Sequence, residues 1–312
     1  MAKDKKPDWL KVTLDSGGNY GMLKKGLREL GLNTICEEAR CPNIFECWGG
    51  GTATILLMGD QCTRACKFCA VSTGNPHGVL DAREPERVAA QVADSGLRYV
   101  VLTSVDRDDL ADGGAAHIAE TVRYIKIKND SILVEVLMPD FGGSRTSLDR
   151  VVASGADVLA HNVETVRRLT PSVRDSRAHY DQSLDVLRYL KATSGRITKT
   201  SLMVGLGESY EEVIDALYDV RETGADAVTI GQYLRPSGWH LPVVEYVPPG
   251  VFERYAAAAR EMGFIMVASG PLVRSSYRAG ELFLERVLGG ARAAGMGSPN
   301  GLHQYISAGI ER

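Results

Sequence analysis

From residue 52 onward, short apolar runs alternate with longer stretches whose apolar positions recur at helical spacing. The runs span 54–59, 99–103, 133–138, 157–162, 198–205 and 227–232, with a seventh strand candidate at 264–268. Helical patterns lie between and after them at 85–95, 114–128, 147–154, 182–193, 209–223 and 249–262. Gly96, Gly155, Gly195, Gly224 and Gly263 close several of these, at the position where a left-handed residue ends a helix. Runs that are apolar throughout predict strands covered on both faces, and their alternation with helices predicts a parallel sheet. The predicted fold is therefore α/β: a partial, open parallel βα barrel of about six βα units, too few for eight-unit closure.

Upstream, one helix is predicted over 19–30, ended by Gly31 and lying across the main domain. The chain then divides into an N-terminal extension (1–51), the barrel (52–268) and a C-terminal extension (269–312) with a helix over 279–288. The two extensions are expected to cover the open end. In such barrels ligands bind at the C-terminal strand ends. Polar residues collect there, at Asp60 and Gln61, at 103–109, at Asp140, at 161–164, at 205–208 and at 232–237.

Composition narrows the function classes. The 312 residues are 44% hydrophobic and carry a net charge of -3, which gives no polyanion-binding signature and excludes nucleic acid as a favoured partner. The first ten residues are charged without an apolar core, so no secretory signal is expected, and no run approaches the ~20 apolar residues of a membrane span. A soluble, cytoplasmic protein is expected. All six cysteines fall between Cys36 and Cys69, a crowding that suits metal binding better than disulfide stapling.

Cys62, Cys66 and Cys69 stand at a C-x3-C-x2-C spacing directly after the first apolar run. Structural zinc is nearly always closed by four ligands, and a cubane 4Fe-4S cluster normally takes four cysteines. Three thiolates leave one iron open to a substrate or cosubstrate. The spacing, with Phe68 before the last cysteine, resembles the signature of the radical S-adenosylmethionine superfamily. There the open iron chelates S-adenosyl-L-methionine, whose reductive cleavage gives a 5'-deoxyadenosyl radical. A zinc knuckle or a ferredoxin-like carrier is the bland alternative. A second triad, Cys36, Cys41 and Cys47 at C-x4-C-x5-C, also lacks a local fourth partner.

Five stretches in order extend the resemblance: 36–48 (CEEARCPNIFECW), 59–69 (GDQCTRACKFC), 103–110 (TSVDRDDL), 160–166 (AHNVETV) and 274–278 (RSSYR). Together they are similar to the lipoyl synthase family, over roughly residues 23–279. The resemblance implies two 4Fe-4S clusters and radical insertion of two sulfur atoms at the sixth and eighth carbons of an octanoyl chain on a carrier lysine. Those C–H bonds are unactivated, so no side-chain base of ordinary pKa removes the proton, and hydrogen-atom abstraction is required. It further implies that Cys62, Cys66 and Cys69 hold the radical cluster. Cys36, Cys41 and Cys47 would hold an auxiliary cluster that is consumed as sulfur source, with a serine of 274–278 as fourth ligand; Ser276 is assigned, with Ser275 the alternative. Thr103, Asn162, Glu164, Arg174, Gln232 and Leu234 are assigned to S-adenosylmethionine, Arg174 as partner of its carboxylate.

The implied partners are an octanoylated lipoyl carrier domain or protein, an electron donor such as ferredoxin or flavodoxin, and an iron–sulfur carrier that rebuilds the auxiliary cluster; a monomer suffices. Other readings compete at particular residues. Arg-Ser-Ser-Tyr alone could cap a helix, 106–109 reads equally as a solvated loop, and Gly205-Leu206-Gly207-Glu208 reads as a tight turn capping the next helix. His77, His117, His161, His179, His240 and His303 are not read as metal ligands. A biotin synthase or methylthiotransferase type is the enzymatic rival, and a non-catalytic iron–sulfur protein the rival of another class.

Overall fold

The computed structural model describes residues 6–10, 19–39 and 41–277; the helix expected over 279–288 lies outside them. Seven parallel strands form the frame: β2 (Thr52–Leu57), β5 (Tyr99–Ser104), β6 (Leu133–Leu137), β7 (Val158–Ala160), β8 (Ile197–Val204), β9 (Ala227–Gln232) and β10 (Met266–Gly270). They are hydrogen-bonded in chain order, so each βα unit advances one strand in the same direction, as in a barrel wall rather than a doubly wound sheet. Among the described residues the order is linear: β10 neighbours β9 alone, and the far edge is β1 (Asn33–Thr34), antiparallel to β2. A short parallel pair, β3 (Gln61–Cys62) and β4 (Ser72–Thr73), flanks the radical loop.

The helices are α1 (Asn19–Glu29), α2 (Ile35–Glu38), α3 (Ile44–Gly49), α4 (Glu84–Asp94), α5 (Ala115–Lys128), α6 (Arg145–Val152), α7 (Thr170–Val173), α8 (Tyr180–Ser194), α9 (Tyr210–Glu222) and α10 (Pro249–Glu261). The predicted barrel elements are all present, with ends moved by at most two residues, and the seventh strand is real. Local chemistry sets several ends. Gly195 takes the left-handed φ of 62° and closes α8 with its N–H on Lys191 O. Ser209 and Glu212 form a capping box at the start of α9. Gly205 and Gly207 have φ of 99° and 106°, and Leu206 N donates to the Glu208 carboxylate at 3.0 Å, so 205–208 is the expected tight turn.

Strand alternation divides the core into two faces. Val100, Leu102, Val134 and Val136 point outward and pack with Val88, Val92, Ile118 and Val122 of α4 and α5. Val204, Val228 and Ile230 do the same against α9 and α10, through Val213, Leu217, Phe252 and Tyr255. The opposite register, Tyr99, Val101, Leu133, Val158 and Ile197, faces inward as a separate apolar set. Inside this set sits a charged pair with no precedent in the apolar pattern. Lys199 Nζ bonds Glu135 Oε1 and Oε2 at 2.8 and 2.9 Å, and Tyr99 OH donates to Glu135 Oε2 at 2.7 Å.

Candidate active site

Just past the end of β2 stands Met58, whose φ of 66° turns the chain out of the sheet; its N–H donates to the buried Glu84 carboxylate at 2.8 Å, and that carboxylate also meets His117 Nε2 at 2.6 Å. The following loop carries Cys62, Cys66 and Cys69, all free thiols. Backbone amides are aimed at two of the sulfurs: Asp106 N and Arg64 N reach Cys62 Sγ at 3.3 and 3.4 Å, and Asp175 N reaches Cys66 Sγ at 3.3 Å. Burial pushes the three thiols up, Cys62 and Cys66 to about 11 and Cys69 to about 12, with neighbouring acidic groups adding to it. Such sulfurs lose their protons only when a metal takes the charge, while the N–H donors are already placed for the anionic form.

Arg64 fixes this loop. Its guanidinium donates to Asp140 at 2.7 and 2.9 Å and to Asp108 at 2.9 and 3.1 Å, and stands 3.3 Å from Asp106. Burial opposes the charge on Asp140, but the Arg64 bonds outweigh it and hold that carboxyl well below the usual range. Asp106, beside Cys62, goes the other way: burial lifts it to about 6 despite Arg64. Arg107 is 2% exposed and doubly bonded to Asp109 at 2.8 Å, with a further bond to Val79 O. The 106–109 segment is therefore an ionic brace, with Arg107 buried and Asp108 exposed, rather than simply a solvated loop; four charges in a row on paper hide that each also has a partner outside the segment.

At the neighbouring strand ends Glu164 takes a left-handed φ of 71°, bridged to Leu202 of β8, a strained conformation typical of a working site. Burial raises its carboxyl, opposed by Arg174 and by a hydrogen bond from Asn162. Arg174 donates from Nη1 to Ser183 Oγ at 2.8 Å and to Val163 O at 3.3 Å, yet its buried Nε has no partner. Both Arg174 and Glu164 act on the Cys66 sulfur, so they face the radical loop. Thr103 and Leu234, half-buried, close β5 and follow β9. Gln232 is different: its amide is spent on the backbone, donating to Val204 O, Tyr233 O and Glu245 O and accepting from Val247 N at 2.8 Å. His161 is buried and pushed down to about 4 by that burial, with both ring nitrogens on Met138 O and Ser183 Oγ.

The second triad lines a cavity of about 280 Å³, partly open to solvent, whose walls include Cys36, Cys41 and Cys47, Thr52 and Thr54 of β2, and Arg274, Ser276 and Tyr277. Thr34 caps α2 through its side chain, and Asn43 holds the C-terminal segment through Leu272 O at 2.6 Å. Ser276 Oγ accepts from Thr54 Oγ1 at 2.9 Å, while Ser275 does not line the cavity. Burial again pushes Cys36 up, to about 11. Among the described residues no three His, Cys, Asp or Glu side chains converge on one ion. Two sets of three free cysteines have the donor chemistry of iron–sulfur clusters, whose irons take cysteine thiolates.

Residues 56–220 match the model of the radical SAM superfamily, and residues 1–41 match the N-terminal domain of lipoyl synthase of that family. Among characterised relatives, lipoyl synthase of Thermus thermophilus is 57% identical over 90% of this chain and 87% of its own. The mitochondrial lipoyl synthase of Drosophila melanogaster is 55% identical over 90% of this chain and 76% of its own, and the lipoyl synthase of Sorangium cellulosum is 52% identical over 94% and 83%. In fold the chain is similar to Streptococcus suis SuiB bound to S-adenosylmethionine, with a TM-score of 0.55 at 14% identity, covering 70% of this chain and 50% of that one. The hydrogenase maturase HydG of Carboxydothermus hydrogenoformans gives 0.52 at 14% identity, covering 86% and 77%. With six free thiols in two sets, a partial βα barrel and relatives above half identity across nine-tenths of its length, the chain belongs to the lipoyl synthase family of radical SAM enzymes.

Proposed function

We propose that the chain inserts two sulfur atoms at the sixth and eighth carbons of a protein-bound octanoyl-lysine, with the two cysteine sets in separate roles. When bound, S-adenosyl-L-methionine and two 4Fe-4S clusters supply the hydrogen-abstracting radical and the sulfur. Cys62, Cys66 and Cys69 hold the radical centre; Cys36, Cys41, Cys47 and Ser276 hold the auxiliary one. The observation that carries this is the shared cavity, where the Ser276 hydroxyl meets Thr54 at 2.9 Å beside three thiols more than two hundred residues earlier in the chain. A serine oxygen is a hard, labile partner for iron, suited to a cluster that is dismantled.

Arg174 binds the cofactor carboxylate through the buried N–H that is otherwise unpaired, since a buried donor without an acceptor is rare. Asn162 and Glu164 take the amino-acid or ribose portion, with Thr103 and Leu234 alongside. Gln232 serves that site indirectly, its amide fixing residues 245–247 rather than touching the cofactor. The three-part division at 51/52 and 268/269 follows this split of labour. An octanoylated lipoyl carrier is the substrate, ferredoxin or flavodoxin the electron donor, and an iron–sulfur carrier restores the spent cluster. A cytoplasmic location is part of this reading; among the described residues no helix is long and apolar enough to cross a membrane.

The test is anaerobic incubation with S-adenosylmethionine, dithionite and an octanoyl-lysine peptide, read by mass spectrometry. Singly and then doubly thiolated peptide is expected; no sulfur product from protein carrying about eight irons would overturn the assignment. Ser276→Cys is expected to slow sulfur transfer while leaving S-adenosylmethionine cleavage intact, and unchanged turnover would count against the ligand role.

A further inference from the structure

After β9 the chain returns over the radical loop. Leu241 N donates to Lys67 O at 3.2 Å, and the buried His240 donates from Nε2 to the Cys69 carbonyl oxygen at 2.8 Å. A carbonyl only accepts, so Nε2 carries the proton and Nδ1 accepts from Ser237 Oγ at 2.9 Å. Against the outer face of this imidazole lies Trp239, ring centroids 3.8 Å apart and planes 30° apart, yet 67% exposed. Val244 on the same segment is 64% exposed. A large indole held in place by a stack and left in water is an anchor without its partner.

The segment that carries Trp239 has one sign of charge. From residue 232 to 244 the segment contains Arg235 and no acid, and Glu245 bounds it. Arg235 is exposed and tethered to His240 O at 2.8 Å and to Gly238 O; Lys67, in the cluster loop itself, is exposed too. Among the described residues neither cation has a carboxylate partner. An aromatic centre with a cationic rim is the composition of a small, transient interface for an acidic protein.

We propose that the Trp239 face, rimmed by Lys67 and Arg235, docks the electron donor: a small, acidic, low-potential one-electron carrier. The proposal rests on the radical reading of the Cys62 loop. From solvent to a cysteine of that loop the path is one ring stack and one hydrogen bond, Trp239 to His240 to Cys69. One electron leaves the reduced carrier and is accepted at the Cys62, Cys66 and Cys69 centre; no bond is made or broken, and His240 keeps both ring contacts. The octanoyl carrier is a poorer occupant, because its chain must reach both cysteine sets and no residue of the Cys36 cavity belongs to this face.

The test compares cluster-loaded wild type with Trp239→Ala and with the Lys67→Glu/Arg235→Glu pair, each matched for iron content. Reduction by a photoreduced acidic flavodoxin is followed by stopped-flow bleaching of the cluster absorbance, and separately by dithionite, which needs no docking. Trp239→Ala is expected to slow flavodoxin-driven reduction about tenfold, and the charge reversals to abolish its salt dependence, with dithionite-driven reduction within twofold of wild type. Wild-type flavodoxin rates in both variants overturn the proposal, as does equal slowing with dithionite. So does a weakened affinity for octanoylated carrier domain with flavodoxin reduction unchanged. Failure of the sulfur-insertion reading shows up elsewhere, as absent thiolated product from the dithionite-reduced wild type.

Discussion

Arg64→Met removes the guanidinium between Cys62 and Cys66 while keeping most of the apolar stem, so the loss is one of charge rather than volume. The Arg64 and Asp140 side chains are 4% and 0% exposed, joined by bonds of 2.7 and 2.9 Å. Without the cation Asp140 keeps the Gly142 N–H at 2.9 Å, and Asp108 keeps Thr63 and Arg177. Breaking a buried pair by removing one partner costs about 3–5 kcal/mol, against a total stability of about 5–15 kcal/mol. In wild type the Asp140 carboxyl sits far below its unfolded value, so its contribution is present at neutral pH and is lost only in strong acid. In the variant burial is opposed only by the Gly142 N–H and His161, so the carboxyl rises from its wild-type position. The deficit is then largest at neutral pH and shrinks in acid, as the carboxyl takes up a proton.

Anaerobic denaturant melts of the cluster-loaded protein, with iron counted per chain, read this directly. Arg64→Met is expected to lose about 3–5 kcal/mol and to fall from about eight irons toward four, because the radical loop is no longer held. Arg64→Met/Asp140→Asn removes both charges and is expected to be less damaging than the two single changes added together. A melt unchanged from wild type, or strict additivity in the double variant, would refute the idea that Asp140 and Arg64 hold the loop through one coupled contact.

Other parts of the site give their own tests. Arg107 holds Asp109 down to about 2, so Asp109 contributes stability above its unfolded pKa and loses it as pH falls to about 2; Asp109→Asn is expected to cost up to about 2 kcal/mol in melts at pH 7 and nothing near pH 2. Gly231 of β9 lies under the C-terminal segment, and a Cβ there would meet Val273 O at 2.1 Å. Gly231→Ala is therefore expected to push the Ser276 segment off β2 and halve the iron content to about four, with S-adenosylmethionine cleavage retained; full iron would refute it. Arg174→Lys is expected to raise KM for S-adenosylmethionine by about tenfold to a hundredfold in 5'-deoxyadenosine assays, and an unchanged KM would remove Arg174 from the cofactor site.

The barrel was legible because its strands are covered on both faces: β9 reads as an apolar run over the same six residues that are buried, and glycine marks the helix ends. Residues 33–50 were not, since β1, α2 and α3 are two, four and six residues long and take their form from the Thr34 cap and from packing on β2 rather than from periodicity. The cysteines were legible by spacing, but the groups that hold them were not. His240 meets Cys69 across 171 residues and Arg64 meets Asp140 across 76, and local pattern carries no information about either. Gln232 shows the converse limit. A polar residue at a strand end looked available for a ligand, while its amide was already satisfied by four backbone groups.

β2 is the element that relates the two cysteine sets. Thr52 and Thr54, near its start, line the Cys36 cavity, and Met58, just past its end, begins the turn into the Cys62 loop. Four strand residues at about 3.3 Å each put Thr54 and Met58 roughly 13 Å apart along one rigid, fully buried strand. The linear sheet order matters here as well. Because β10 does not pair with β2, the edge of β2 accepts β1, and the segment after β10 can cross to place Ser276 on Thr54. A closed ladder between those strands would occupy that seam. The open barrel therefore does more than fall short of eight units: its gap is where residues 43–54 meet residues 272–277, at a distance from the radical loop that one strand fixes.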